Sequence, residues 1–451
     1  MAELSMDNPS EPHLKRVLTF RDLLIYGMII MQVVAPIPIF GLLQQRSNDH
    51  EVLTVLVAVV PMTFTAISYG RMASLYPMAG SAYTYVGRSI SPHLGFLIGW
   101  SMLLDYLMIP LISAIIPALA IQRLVPAVPL PVLTFIILLL MTGLNLLGMR
   151  ATARANALLL VVASLAVCGF LVLTIAYMGH KSGWGGVVSL KPLYDPSTFR
   201  AGAILSGISL AALTYIGFDG LTTLAEDSVN PKRDMVLAPV MVVLIIGILS
   251  AVELYFLHLV LPDWHSTDLD TSYLDVMRIV GGPLLFTTFL VIMSLSQFGA
   301  GLGVQVNAAR LLYGMGRDRV LPPSVFGYLS PRRQNPSLNI LIIGGLAFLG
   351  SVLIPFDQAL DLLNFGAFLG YMGVNAAALW SYSVRPPESR RRNIAWDVLV
   401  PCAGFVGCFI FWLGLPRRAQ VVGSLWLLVG FIYTAGKTRW FRERPPQFKF
   451  D

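Results

Sequence analysis

Long apolar runs, each bounded by charge or proline, dominate the chain, and they are continuous rather than alternating in polarity. About 20 apolar residues carry a helix across the hydrocarbon core of a bilayer, whereas a membrane barrel reads as alternating segments of about 10 residues. The runs predict helical spans over residues 20–45, 51–75, 92–125, 131–148, 155–178, 201–227, 235–261, 281–313, 337–354, 358–384, 396–416 and 419–436. The fold class that follows is an all-α integral membrane protein with twelve transmembrane helices. Residues 1–18 form an N-terminal tail, 19–178 hold the first five spans, 201–384 the next five, 396–436 the last two, and 437–451 a C-terminal tail.

Two of these spans are interrupted. The sequence VVAPIPIFG crosses the first span at Val33–Gly41, and GFDG crosses the sixth at Gly217–Gly220. Pro36 and Pro38 each remove a backbone N–H and disfavour helix in the preceding residue, while each glycine weakens a helix by roughly 1 kcal/mol relative to alanine. A simple proline kink would leave Asp219 unexplained, because a carboxylate at mid-membrane depth costs at least ~2.5 kcal/mol unless it meets a polar cavity. Units starting at spans 1 and 6 have opposite orientations in the bilayer. Paired interruptions at corresponding points of two such halves are the pattern of inverted five-helix repeats in secondary transporters.

Composition agrees with the pattern. Of 451 residues, 56% are hydrophobic and 12% charged, against about 25% charged in ordinary soluble domains. Cys168, Cys402 and Cys408 all fall in apolar runs and read as packing residues, and the six histidines form no ligand-spaced cluster; no metal, cofactor or enzymatic chemistry is expected. The first 18 residues are polar, so they read as a tail and not as a cleavable signal. Net charge is +7, yet with the amino terminus inside, 23 of the 31 lysines and arginines lie on the cytoplasmic side and 8 outside. By the positive-inside rule both termini are cytoplasmic in a plasma (inner) membrane, and the basic charge is topogenic; lipid, not nucleic acid, is the expected partner.

Four stretches carry a family resemblance: YPMAGSAYTYVGRSISPHLGFLIGWSMLLDY (76–106), YIGFDGLTTLAEDSVNPKRD (215–234), RLLYGMGRDRVLPPSVFGY (310–328) and LLNFGAFLGYMGVN (362–375). The chain resembles the amino acid/polyamine/organocation permeases, and most their putrescine-importer branch. The resemblance implies two inverted five-helix repeats followed by two extra helices, with the substrate between broken helices 1 and 6 and helices 3 and 8. The glycines of GAGLG at Gly299–Gly303 lack a preceding strand and read as close helix packing rather than a nucleotide loop.

Three acids stand inside predicted spans away from their ends: Asp105, Asp219 and Glu253. Asp219, with Gly217, Phe218 and Gly220, is a candidate to hold an ammonium group, Phe218 closing over it. On the first span Val34, Ala35, Pro36 and Ile37 are the substrate-binding candidates, and the segment that matches the carboxylate-binding turn of the related permeases is Ala35-Pro36-Ile37-Pro38. Its prolines leave few N–H groups for a carboxylate while every carbonyl stays available to a cation. Tyr106 is favoured for substrate contact and Asp105 for substrate or proton coupling, since adjacent helix residues point about 100° apart. Glu226, Ser294 and Ser296 are further coupling or gating candidates, the serines because some proteins of this fold coordinate sodium there. Glu253 is expected to be a partnered polar residue away from the centre.

The favoured function is a secondary active transporter importing a small amine, putrescine or another polyamine, or an amino acid, coupled to protons or working by exchange. A general neutral or cationic amino acid permease is the alternative within the class. A membrane nutrient sensor that does not transport is the alternative outside it.

Overall fold

The computed structural model describes residues 18–76, 81–148, 153–225, 227–263, 265, 268–317, 321–330, 335–384, 393–440 and 442. Residues 1–17 of the N-terminal tail, most of the C-terminal tail, the PMAG of PMAGSAY and Glu226 lie outside the described residues. In chain order the α-helices are α1 (Phe20–Met31), α2 (Phe40–Ser47), α3 (Glu51–Leu75), α4 (Ser81–Ser89), α5 (Pro92–Gln122), α6 (Leu130–Leu146), α7 (Ala153–Ser182), α8 (Trp184–Val187), α9 (Ala201–Ala211), α10 (Phe218–Thr222), α11 (Pro231–Val260), α12 (Ser272–Arg317), α13 (Pro323–Phe326), α14 (Ser337–Leu353), α15 (Phe356–Leu379), α16 (Val400–Leu413) and α17 (Arg417–Lys437). Among the described residues there is no sheet, only an isolated parallel bridge between Leu18 and Ser228.

Nine helical stretches among the described residues are long and apolar enough to cross a membrane, and α6 and α14 are shorter apolar helices. The chain is therefore a multi-pass membrane protein. Its helices start on local signals. Thr19 and Asp22 form a capping box at α1, Asp22 Oδ2 accepting from Thr19 N at 2.9 Å. Ser91 caps α5, and proline occupies the first turn of α5, α6, α11 and α16, where its missing N–H costs nothing. The eighth span starts earlier than its apolar run suggests, because α12 continues back to Ser272 through a non-helical Gly282. The separate helix α4 is amphipathic and carries no apolar run of its own.

Burial sorts the helices into centre and rim. In the apolar windows of α15 and α5, 83% and 72% of residues are buried inside the protein, against 22–28% for α7, α12, α16 and α17. The rim helices keep rows of exposed leucine, valine and isoleucine, such as Leu425, Leu428, Val429 and Ile432 on α17, which suits contact with lipid. Polar groups inside the bundle join elements distant in sequence. Arg46 on α2 makes a bidentate pair with Asp361 on α15, at 2.5 and 2.9 Å. Arg71 on α3 pairs with Asp397 at 2.5 Å, donates to the Trp396 carbonyl and lies 3.8 Å over the Tyr382 ring. Glu51 on α3 meets His258 on α11 at 2.6 Å.

Glu253 departs from expectation. It is fully buried on α11, and neither carboxyl oxygen has a hydrogen-bond partner among the described residues.

Candidate functional site

The first break begins at Gln32, whose φ of 59° takes it out of α1. Turns follow through Pro36, then a 3-10 turn at Ile37–Ile39, before α2 resumes the span. In the sixth span α9 ends at Ala211, a 3-10 turn covers Ala212–Tyr215, Ile216 is extended, and Gly217 has φ 116°. Glycine is required there twice over. The φ is one that side-chain-bearing residues rarely adopt, and a Cβ would stand 2.8 Å from Ile30 Cγ2 on the other broken span. The two breaks therefore lie against each other.

Between them and α5, α7, α12 and α15 is a cavity of about 430 Å³. It is lined by Val34 and Ala35 of the first break, by Gly217, Asp219 and Gly220 of the second, by Asp105 and Tyr106 of α5, and by Ser296 of α12. Asp105 and Tyr106 both face it, although they are neighbours on one helix. The lining of α5 continues through Ile109, Ile112, Ser113 and Ile116, one face at helical spacing. Asp219 sits in the first turn of α10, its carboxylate turned toward the amides of Gly217, Asp219 and Gly220. Asp105 is near enough to feel the Asp219 charge, and its Oδ1 has no partner among the described residues.

Other sequence candidates stand outside the lining. Pro36 and Ile37 belong to the same unwound segment but face elsewhere, and Ser294 has a buried hydroxyl with no partner among the described residues. Phe218 is buried below the cavity in an aromatic cluster, its ring centroid 5.4 Å from Tyr69 and 5.2 Å from Tyr371. GAGLG is not uniformly a packing motif. A Cβ at Gly301 would meet Met141 and Ser113 at 2.8 Å, but Gly299 and Gly303 have open space beside them and line the cavity. The two are four residues apart, so they share one helix face, and it is the face turned to the void.

Three amide side chains in the lining escape sequence reasoning, Gln32, Gln297 and Asn307, as do Tyr26, Ser113 and Thr223. Gln297 Nε2 donates to Gln32 Oε1 at 3.3 Å, joining α12 to the edge of the first break. The available signal for the three amides is that each lies inside an apolar run, a weaker mark than a carboxylate.

Comparison with known proteins matches the sequence to a family. The model described as "Amino acid permease" matches residues 44–433. The chain belongs to the amino acid permease family. It is thus a membrane permease and not an enzyme. This permease is 30% identical over 446 residues to the low-affinity putrescine importer PlaP of Escherichia coli (strain K12), covering 98% of both chains. It is 26% identical over 470 residues to the branched-chain amino acid permease BcaP of Lactococcus lactis subsp. cremoris, covering 96% of this chain and 97% of that one. With cationic amino acid transporter 3, mitochondrial, of Arabidopsis thaliana it shares 25% identity over 368 residues, 76% of this chain and 58% of the relative.

Proposed function

We propose that this permease is a secondary active transporter that imports a small amine by alternating access, coupled to protons or working by exchange. The observation that carries the reading is that both broken spans meet at one cavity that also holds two carboxylates, Asp105 and Asp219. Irregular backbone at membrane depth is tolerated where it lines a cavity, and such paired breaks mark the substrate site of inverted-repeat transporters. The accompanying architecture is twelve spans in two inverted five-helix units, 19–178 and 201–384, with two more helices over 396–436 and both termini cytoplasmic.

In this reading Asp219 and the carbonyls around Val34, Ala35 and Gly217 take an ammonium group, Tyr106 orders the substrate, and Asp105 takes a second ammonium. A diamine satisfies both carboxylates, while its methylene chain lies along Ile109, Ile112 and Ile216. The same aliphatic walls favour a second reading, a neutral amino acid with a branched side chain. The similarity to PlaP supports the first and that to BcaP the second. Initial uptake of labelled putrescine and labelled leucine into vesicles containing the purified chain separates them, putrescine being expected to move and to compete better than leucine. Uptake of leucine that putrescine neither shares nor inhibits replaces the amine reading with the amino acid one, and ligand-dependent thermal stabilisation without movement of either replaces it with a sensor.

A further inference from the structure

Glu253 is the buried acid that the cavity does not use. It is fully enclosed in α11, outside the lining, with both oxygens unpartnered among the described residues. Ser250, one turn before it on the same helix, is equally buried and equally unpartnered. A carboxylate anion sealed from water without donors costs several kcal/mol, and natural interiors avoid that cost unless the group has a task.

Its surroundings on the helix point to the task. At ~100° per residue, Val242, Ile246, Glu253 and Leu257 fall within about 60° of arc on α11. This is the face that receives the first span, for a Cβ at Gly27 would meet Val242 Cγ2 at 2.7 Å. The two segments start together, since Leu18 N donates to Asp227 O and Val229 N to Leu18 O just before α11. They then run in the same direction. From the Gly27–Val242 contact, the 3-10 turn Ile37–Ile39 lies about ten residues on and Glu253 eleven, and that turn packs on α11. Glu253 thus stands behind the broken part of the first span, on the side away from the cavity.

Among the described residues Glu253 takes part in no ion pair. The titratable groups that the packed helices carry are engaged or placed elsewhere. Glu51 of α3 is held by His258, and Tyr215 donates to Val55 O at 2.8 Å. Asp219 of α10 faces the cavity. Tyr26 of α1 faces the cavity from α1's side, Tyr69 of α3 lies in the aromatic cluster around Phe218, and Arg71 is held by Asp397. Lys181 of α7 lies over the Tyr177 ring, Arg278 of α12 over the Phe286 ring, and Asp22 of α1 accepts from Thr19.

Resting on the transport reading, we propose that Glu253 is a proton-binding site of the transport cycle, loaded and unloaded as the broken first span moves off α11. With the first span seated, one carboxyl oxygen holds the proton and the neutral acid tolerates the dry site. When the span shifts, water reaches Glu253, the O–H bond breaks, and the proton leaves to that water as hydronium; the carboxylate is reloaded from water on the other side in the alternate state. The proton and the substrate never share a binding group. The coupling runs through the position of the first span.

The test uses the full chain in vesicles with an imposed pH gradient, with labelled putrescine and labelled leucine as probes. Glu253→Gln mimics the neutral acid at the same volume. It is expected to abolish gradient-driven accumulation and to flatten the pH dependence of uptake, from several-fold to about onefold between pH ~5.5 and ~7.5, while exchange of labelled for unlabelled substrate continues. Glu253→Asp is expected to restore a pH dependence. Accumulation and pH profile unchanged in the glutamine variant overturn the proposal. So does loss of all transport, exchange included, in both variants with their melting temperatures intact, which makes Glu253 a requirement of the conformational cycle itself and not a proton site. Wild-type vesicles that exchange neither probe remove the underlying transport reading itself, a different failure from an unaltered pH profile.

Discussion

Asp219 is the residue on which the substrate assignment turns. It lines the cavity from the first turn of α10, and the glycines beside it let the backbone approach Ile30 on the other broken span. Charge-assisted hydrogen bonds are worth about 1.5–3 kcal/mol, so Asp219→Asn, which keeps the volume and removes the charge, is expected to lower amine uptake by about tenfold to a hundredfold. Expression and melting temperature stay at the wild-type level, and initial uptake at equal protein density gives the answer; kinetics like those of the wild type take Asp219 out of the mechanism. Asp219 was legible in the sequence because a carboxylate in an apolar run has few innocent explanations. Gln32 and Gln297 were not, since an uncharged amide in a helix satisfies itself on the backbone often enough to pass as packing. Glu253 was visible as an acid, but whether it has a partner depends on the helices packed around it, and no single stretch records that.

Elements were more legible than their interiors. The apolar runs located most of the long helices within a few residues, because length and hydrophobicity alone decide what crosses a bilayer. The amphipathic α4 and the extension of α12 past Gly282 escaped, for neither adds to an apolar run. The break in the first span yields an element-level expectation. A cysteine replacing Ala35 reacts with a water-soluble thiol reagent from one side, and substrate slows the reaction, because Ala35 faces the cavity. Protection regardless of substrate returns the segment to an ordinary kink. The connection between α11 and α12 carries a second expectation. Burial first, and then the charges of Asp268 and Asp357, push the Asp270 carboxyl from 3.8 up to about 6. The folded state therefore takes up this proton before the unfolded state does, and the anion's cost is fully present above about pH 6 and lifts as pH falls toward 3.8. Asp270→Asn is expected to raise the melting temperature at about pH 8, with the gain shrinking through pH 6 and gone near pH 4. A gain independent of pH contradicts it.

At the scale of the whole molecule, a few buried ion pairs and a bridge tie particular helices to one another. Arg46–Asp361 ties α2, the second half of the first span, to α15, and Arg71–Asp397 ties α3 to the turn just before α16. Removing one partner of such a pair leaves a stranded charge, so these joints hold firmly in whichever state forms them. The short bridge at Leu18 works differently. It is made of backbone alone, Leu18 N to Asp227 O and Val229 N to Leu18 O, both at 2.9 Å. It yokes the entry to α1 to the segment that leaves α10, so the two half-helices on either side of the cavity share one handle. A pull on either is a pull on both. In the proposed transport cycle a substrate gripped only at Asp219 therefore drags α1 without touching it, and a lopsided ligand with a single charged end works the same lever as a symmetric one.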